Sequence, residues 1–83
     1  MTRAINWSSR GRKDLDDLDH GVNQRIRAAV ERLADGIGDV RRLTGIEPPL
    51  FRLRVGDWRV LFRYDGAGMI VILRVLPRDK AYR

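Results

Sequence analysis

Residues 51–62 read FRLRVGDWRVLF, and side-chain character alternates on either side of Gly56-Asp57. Strict alternation is the signature of a strand with one face buried. A two-residue loop with glycine first suits a type II′ hairpin turn. The stretch therefore predicts two antiparallel strands, Leu50–Val55 and Trp58–Tyr64. With the turn at the tip, Val55 faces Trp58, Arg54 faces Arg59, Leu53 faces Val60, Arg52 faces Leu61 and Phe51 faces Phe62. Directly opposed residues share a face. One face is then wholly apolar (Phe51, Leu53, Val55, Trp58, Val60, Phe62), and the other carries Arg52, Arg54, Arg59 and Leu61.

Outward from the hairpin, Asp65-Gly66-Ala67-Gly68 reads as a turn and Met69–Leu76 as a further strand rich in β-branched residues. A four-residue loop there pairs Tyr64 with Met69, Phe62 with Val71 and Val60 with Leu73, and sets Arg74 beside Arg59. Pro77 ends the strand and Arg78–Arg83 forms a short tail. Upstream, residues 2–7 (TRAINW) suit a first strand. Ser8 or Ser9 offers an N-cap for a short helix, Ser9 to Leu18, and His20-Gly21 breaks the pattern. Val22, Ile26, Ala29, Val30 and Leu33 form an amphipathic stripe on a second helix, Val22 to Ala34, closed by Gly36. Residues 37–49 read as a connection ending in Pro48-Pro49. The expected fold class is α+β: one domain, residues 1–83, with an N-terminal strand and a helical hairpin packed on a mainly antiparallel four-stranded sheet.

Eighty-three residues bound the molecule to one modest core and an open surface site rather than an enclosed cavity. The absence of cysteine excludes disulfides and thiolate metal sites, and a cytoplasmic location is expected. No apolar run is long enough to cross a membrane as a helix. The net charge of +6 favours a polyanion or an acidic partner. Residues 1–49 hold nine Lys/Arg against eight Asp/Glu, whereas residues 50–83 hold eight against three. The excess therefore lies on the strands. All basic residues except Lys13 and Lys80 are arginine, whose planar fork matches phosphate. Arg54, Arg59 and Arg74, adjacent in the expected register, repel one another and call for an anion between them.

The run FRLRVGDWRVLF together with the tail RVLPRDKAYR resembles the RelE family of toxins from type II toxin–antitoxin pairs. The likeness spans essentially the whole chain. It implies a ribosome-dependent endoribonuclease that cuts messenger RNA in the A site, with an antitoxin as its partner in a hetero-oligomer. The chemistry it implies is attack of a ribose 2′-OH on the adjacent phosphate, without metal or cofactor. By resemblance, Arg52 and Arg54 stand at the family's two basic strand positions, Arg59 at its central arginine, Arg78 at its late arginine and Tyr82 at its C-terminal tyrosine. Those five are the implied catalytic residues. RNA contacts are expected from Arg52, Arg54, Arg59, Arg74, Lys80 and Arg83. Better-known members carry lysine where this chain has Arg52 and Arg54, and arginine does not lose its proton as a lysine base does. The general base then falls to Tyr82, the ribosome or water.

The related ParE branch shares this fold and poisons DNA gyrase by binding alone; the paired basic strand residues and Tyr82 speak for the nuclease. A plain nucleic-acid-binding module is a third reading, marked by salt-sensitive RNA affinity without cleavage. His20 reads as a helix-boundary residue, Trp7 and Trp58 as core, and Asp14, Asp16, Asp17 and Asp19 as a solvated helix face. The antitoxin is expected to be encoded beside this gene. It is expected to lay an acidic segment over the arginine face or to displace the Tyr82 tail.

Overall fold

The computed structural model describes residues 2–81. Strand β1 (Ile5–Trp7) leads into helices α1 (Ser9–Asp16) and α2 (His20–Ala34), followed by strands β2 (Asp39–Arg42), β3 (Phe51–Val55), β4 (Trp58–Tyr64) and β5 (Ile70–Pro77). The strands form one sheet in the order β1-β5-β4-β3-β2. All neighbours are antiparallel except β1, which runs parallel to β5. The α+β class is as expected, but the sheet has five strands rather than four. The extra strand, β2, lies inside the expected connection 37–49 and pairs antiparallel with β3.

The helix boundaries also differ from the expectation. Ser8 caps α1, its Oγ accepting from the Gly11 N–H at 3.0 Å. Asp19 caps α2, its Oδ1 accepting from the Val22 N–H at 3.0 Å. This carboxylate starts the second helix at His20, so His20 and Gly21 lie in its first turn and the break falls on residues 17–19. Ile26, Ala29, Val30 and Leu33 of α2, with Leu15 of α1, pack on Leu53, Val60, Phe62, Ile70, Ile72 and Val75 of the sheet. Trp7 and Trp58 lie partly buried against this cluster, as expected.

The β3–β4 register is the one the turn predicts, from Val55↔Trp58 to Phe51↔Phe62. The β4–β5 register is not. Tyr64 pairs with Ile70, Phe62 with Ile72 and Arg63 with Val71, while Leu61 pairs with Arg74 and Val60 with Val75. The loop is one residue longer than expected because Asp65 organises it: its Oδ1 accepts from the N–H groups of Ala67 and Met69, both at 2.9 Å. A bulge at Leu73 then absorbs a further residue. Without it, the run Ile70, Ile72, Arg74 would drive an arginine into the core. The bulge resets the parity so that Val75 is buried instead. Arg74 therefore lies opposite Leu61, not beside Arg59, which corrects the expected triad.

Helix α1 seals the edge of β5 around this bulge. The Ser8 N–H donates to the Ile72 carbonyl at 2.9 Å and its hydroxyl to the Leu73 carbonyl at 3.1 Å. Gly11 is buried there, and a Cβ on it would stand 2.7 Å from the Ile72 carbonyl oxygen. That oxygen belongs to a strand backbone and cannot yield cheaply. Gly11→Ala is therefore expected to cost about 2 kcal/mol, overpacking outweighing the roughly 1 kcal/mol by which alanine favours a helix. Gly21→Ala, whose Cβ would meet only Asp19 Oδ1 at 3.6 Å, is expected to be neutral or mildly stabilising. Urea titration of the two variants separates these outcomes.

Asp14 is not part of a solvated face. Its Oδ2 accepts from Arg74 Nε at 2.8 Å and from the Val75 N–H at 2.9 Å, and its Oδ1 accepts from Arg74 Nη2 at 3.3 Å. Burial opposes ionisation of this carboxyl. The hydrogen bonds from Arg74 and Val75, with the charges of Arg74 and Arg10, outweigh it and hold Asp14 below the ordinary value of 3.8. The same bond raises the Arg74 pKa. A carboxylate depressed by folding contributes stability above its unfolded pKa, and that contribution is lost as pH falls through the folded value. Asp14→Asn is expected to lose about 2 kcal/mol at pH 7, and the gap to the wild type should narrow as pH drops below 3.8. Denaturant midpoints at pH 7 and pH 3 measure this; a gap that widened in acid would contradict it.

Candidate nucleic-acid interface

The sheet face turned away from the helices carries the candidate site. Register places Arg41 and Arg52 side by side on β2 and β3, and Arg54 opposite Arg59 on β3 and β4. Arg63 lies opposite Val71, and Arg74 opposite Leu61. Among the described residues, Asp39, opposite Arg54, is the one carboxylate that this register places on the face.

The arginines differ in how they are held. Arg52 and Arg59 are each only 7% exposed. Arg52 Nη1 donates to the Asp39 carbonyl at 3.0 Å and pairs with Asp39 Oδ1 at 3.3 Å. Arg59 Nη1 donates to the carbonyls of Gly56 and Trp58, both at 2.8 Å, which clamps the side chain to its own hairpin turn. The Nε atom of each is buried with no partner. Nη2 of each has no hydrogen-bond partner among the described residues either. Two guanidinium groups are thus fixed through one nitrogen while retaining unused donors, the arrangement that preorganised anion binding requires. Arg54 is exposed and joins no ion pair among the described residues.

The tail returns to the same end of the face. The Arg78 N–H donates to the Asp57 carbonyl at 2.9 Å and the Lys80 N–H to the Pro77 carbonyl at 3.0 Å, so Arg78 stands at the tip of the β3–β4 hairpin. Arg78 and Lys80 are exposed, and Ala81 is buried. The fold therefore gathers Arg52, Arg54, Arg59 and Arg78 near the hairpin end. It diverts Arg74 to the sheet edge, where Asp14 holds it. Tyr82 and Arg83 lie outside the described residues. Arg41 was missed because β2 was; the alternation already puts Arg63 on this face, although it was not among the expected RNA contacts. His20 is exposed at the start of α2, remote in the fold from this face.

Two helices cover one face of a five-stranded sheet and arginines lie on the other, an α+β fold with an open, basic sheet face. Residues 5–82 match the family described as ParE toxin of type II toxin–antitoxin system, parDE. No curated protein matches the chain. Among solved structures, the chain is similar to the RelB–RelE antitoxin–toxin complex of Methanococcus jannaschii, with 23% identity, 93% of this chain and 94% of that one covered, and a TM-score of 0.74. It is similar to the archaeal RelE–RelB complex of Pyrococcus horikoshii OT3, with 28% identity, 98% and 100% covered, and a TM-score of 0.69. The toxin–antitoxin complex RelBE2 of Mycobacterium tuberculosis matches with 24% identity, 94% and 100% covered, and a TM-score of 0.71. The chain belongs to the ParE toxin family of type II toxin–antitoxin systems, within the RelE/ParE superfamily.

Proposed function

We propose that this toxin is a ribosome-dependent messenger-RNA endoribonuclease, neutralised by a cognate antitoxin. The observation that carries the reading is the pair Arg52 and Arg59, clamped through Nη1 with donors to spare, beside the exposed Arg54 and Arg78. Similarity to three RelE toxins supports it, and their occurrence in complexes with antitoxins supports the partner.

In the proposed reaction the ribose 2′-oxygen bonds to the neighbouring phosphorus and the bond from phosphorus to the 5′-oxygen breaks. The 2′-hydroxyl gives up its proton and the leaving 5′-oxygen gains one, leaving a 2′,3′-cyclic phosphate. Charge builds on the non-bridging oxygens, where guanidinium donors act most strongly. Arginine supplies that stabilisation but not the base. The base comes from Tyr82, ribosomal RNA or water. An open sheet by itself orients RNA poorly, which suits a message already held by the ribosome.

A second reading, gyrase inhibition by binding alone, is favoured by the description of the matching family and by the engagement of Arg52 and Arg74 in ion pairs. Purified toxin added to a cell-free translation reaction, with the 5′ ends of the message mapped, separates the two. Cuts within codons that need translating ribosomes, and that fade with Arg54→Ala/Arg78→Ala protein, are expected. An intact message at full dose removes the nuclease reading and leaves DNA supercoiling as the next assay.

A further inference from the structure

At the end away from the hairpin turn, the β3–β4 ladder runs into a proline. Continuing its register two residues beyond Phe51↔Phe62 sets Pro49 opposite Tyr64. Proline has no N–H to donate, so pairing stops and β4 overhangs β3. The overhang leaves a cleft of about 200 Å³ lined by Pro48, Pro49, Phe51, Arg63 and Tyr64. That is below the roughly 300–1,000 Å³ of a pocket for a drug-sized ligand, and it suits one flat ring.

Tyr64 is held firmly at this cleft. Its ring meets Phe51 at 5.2 Å and Phe62 at 5.7 Å between centroids, both edge-on. Arg3 lies over the ring, 4.9 Å from its centroid, and donates from Nη1 to the Gly68 carbonyl at 2.7 Å. Tyr64 nevertheless remains 38% exposed. A ring fixed in this way has little freedom left to lose on binding.

Alternation along β4 puts Arg63 on the arginine face, about 13 Å from Arg59. Arg63 joins no ion pair and donates no side-chain hydrogen bond among the described residues. The acids nearest in sequence are engaged elsewhere. Glu47 pairs with Arg42 at 3.6 Å, and Asp65 accepts from the N–H groups of its own loop. A free guanidinium thus stands beside an aromatic ring and two prolines.

We propose that this cleft is a base-binding subsite: one unpaired base of an RNA strand crossing the arginine face stacks against Tyr64 and Pro48-Pro49, and Arg63 takes the adjoining phosphate. The proposal rests on the RNA substrate proposed above, not on the cleavage chemistry. Stacking surface with a cation attached is what single-stranded RNA recognises. An aliphatic side chain of a protein partner would fill the cleft but leave the guanidinium unpaired.

The test titrates the full chain with short single-stranded RNAs carrying 2-aminopurine at successive positions, a base whose fluorescence falls when it stacks. Quenching at one position is expected with the wild type and with Tyr64→Phe. Tyr64→Ala should abolish it and weaken binding about tenfold. Arg63→Gln should lower the slope of log affinity against log salt by about 0.7, as for one lost phosphate contact. Arg54→Ala/Arg78→Ala should weaken binding yet retain the quenching at saturation. Circular dichroism melts check that each variant folds. Unchanged affinity and quenching in folded Tyr64→Ala overturn the proposal, as does a wild type that binds no RNA at low salt. Retained RNA affinity with a lost antitoxin complex overturns it in favour of a protein side chain. If base-dependent binding holds but translated message stays intact, the nuclease reading falls while the subsite stands.

Discussion

Phe62→Ala is expected to remove about 4 kcal/mol of folding stability and to lower the melting temperature by roughly 20 °C. Phe62 is fully buried at the middle of β4, the largest of the fully buried side chains. Its ring stacks on Phe51 at 5.6 Å between centroids and meets Tyr64 edge-on at 5.7 Å. It also sits between Phe51 on β3 and Ile72 on β5, one residue from the bulge. Truncation therefore opens a cavity between three strands whose backbones are tied by ladder hydrogen bonds and cannot close in. A domain of this size has on the order of 4–12 kcal/mol in total, so the loss takes a third or more. Tyr64→Ala, at the exposed end of the same aromatic cluster, should cost about 1 kcal/mol. Calorimetry on both variants tests the contrast; similar melting temperatures would mean that the cluster is not the centre of the core.

The hairpin built from residues 51–62 was legible because two local signals agree there: the alternation sets the faces and Gly56-Asp57 sets the register. Helix α2 was legible from its stripe. Strand β2 was not, because Asp39-Val-Arg-Arg42 offers one apolar residue and every position is exposed. Its pairing depends on β3, whose sequence it does not mirror. The bulge at Leu73 was equally hidden. It is stabilised by Ser8 and Asp14, over sixty positions away in sequence, and a period-two reading has no means of registering them. The candidate site follows the same division. Arg54 opposite Arg59 could be read from the turn. The carboxylates that hold Arg52 and Arg74 belong to β2 and α1, so the difference between free and engaged arginines appears only in three dimensions.

That difference makes Arg59 the most informative substitution. Arg59→Ala is expected to cut cleavage by a hundredfold or more under the proposed function, on the order expected for losing one preorganised donor. It also releases the carbonyls of Gly56 and Trp58, so part of any loss could arise from a loosened turn. Arg59→Lys separates the two contributions. A lysine carries one nitrogen and can either clamp the turn or reach a phosphate, whereas arginine does the first with Nη1 and keeps Nη2 for the second. The Lys variant should therefore melt within a few degrees of the wild type yet cleave about as poorly as Arg59→Ala. Message mapping and thermal melts on the same three preparations decide the matter. If the Lys variant cleaved at the wild-type rate, charge alone would suffice and the two-nitrogen geometry of Arg59 would carry no chemistry. If cleavage fell only in step with melting temperature, Arg59 would be a turn clamp, and Arg54 with Arg78 would have to supply the anion site.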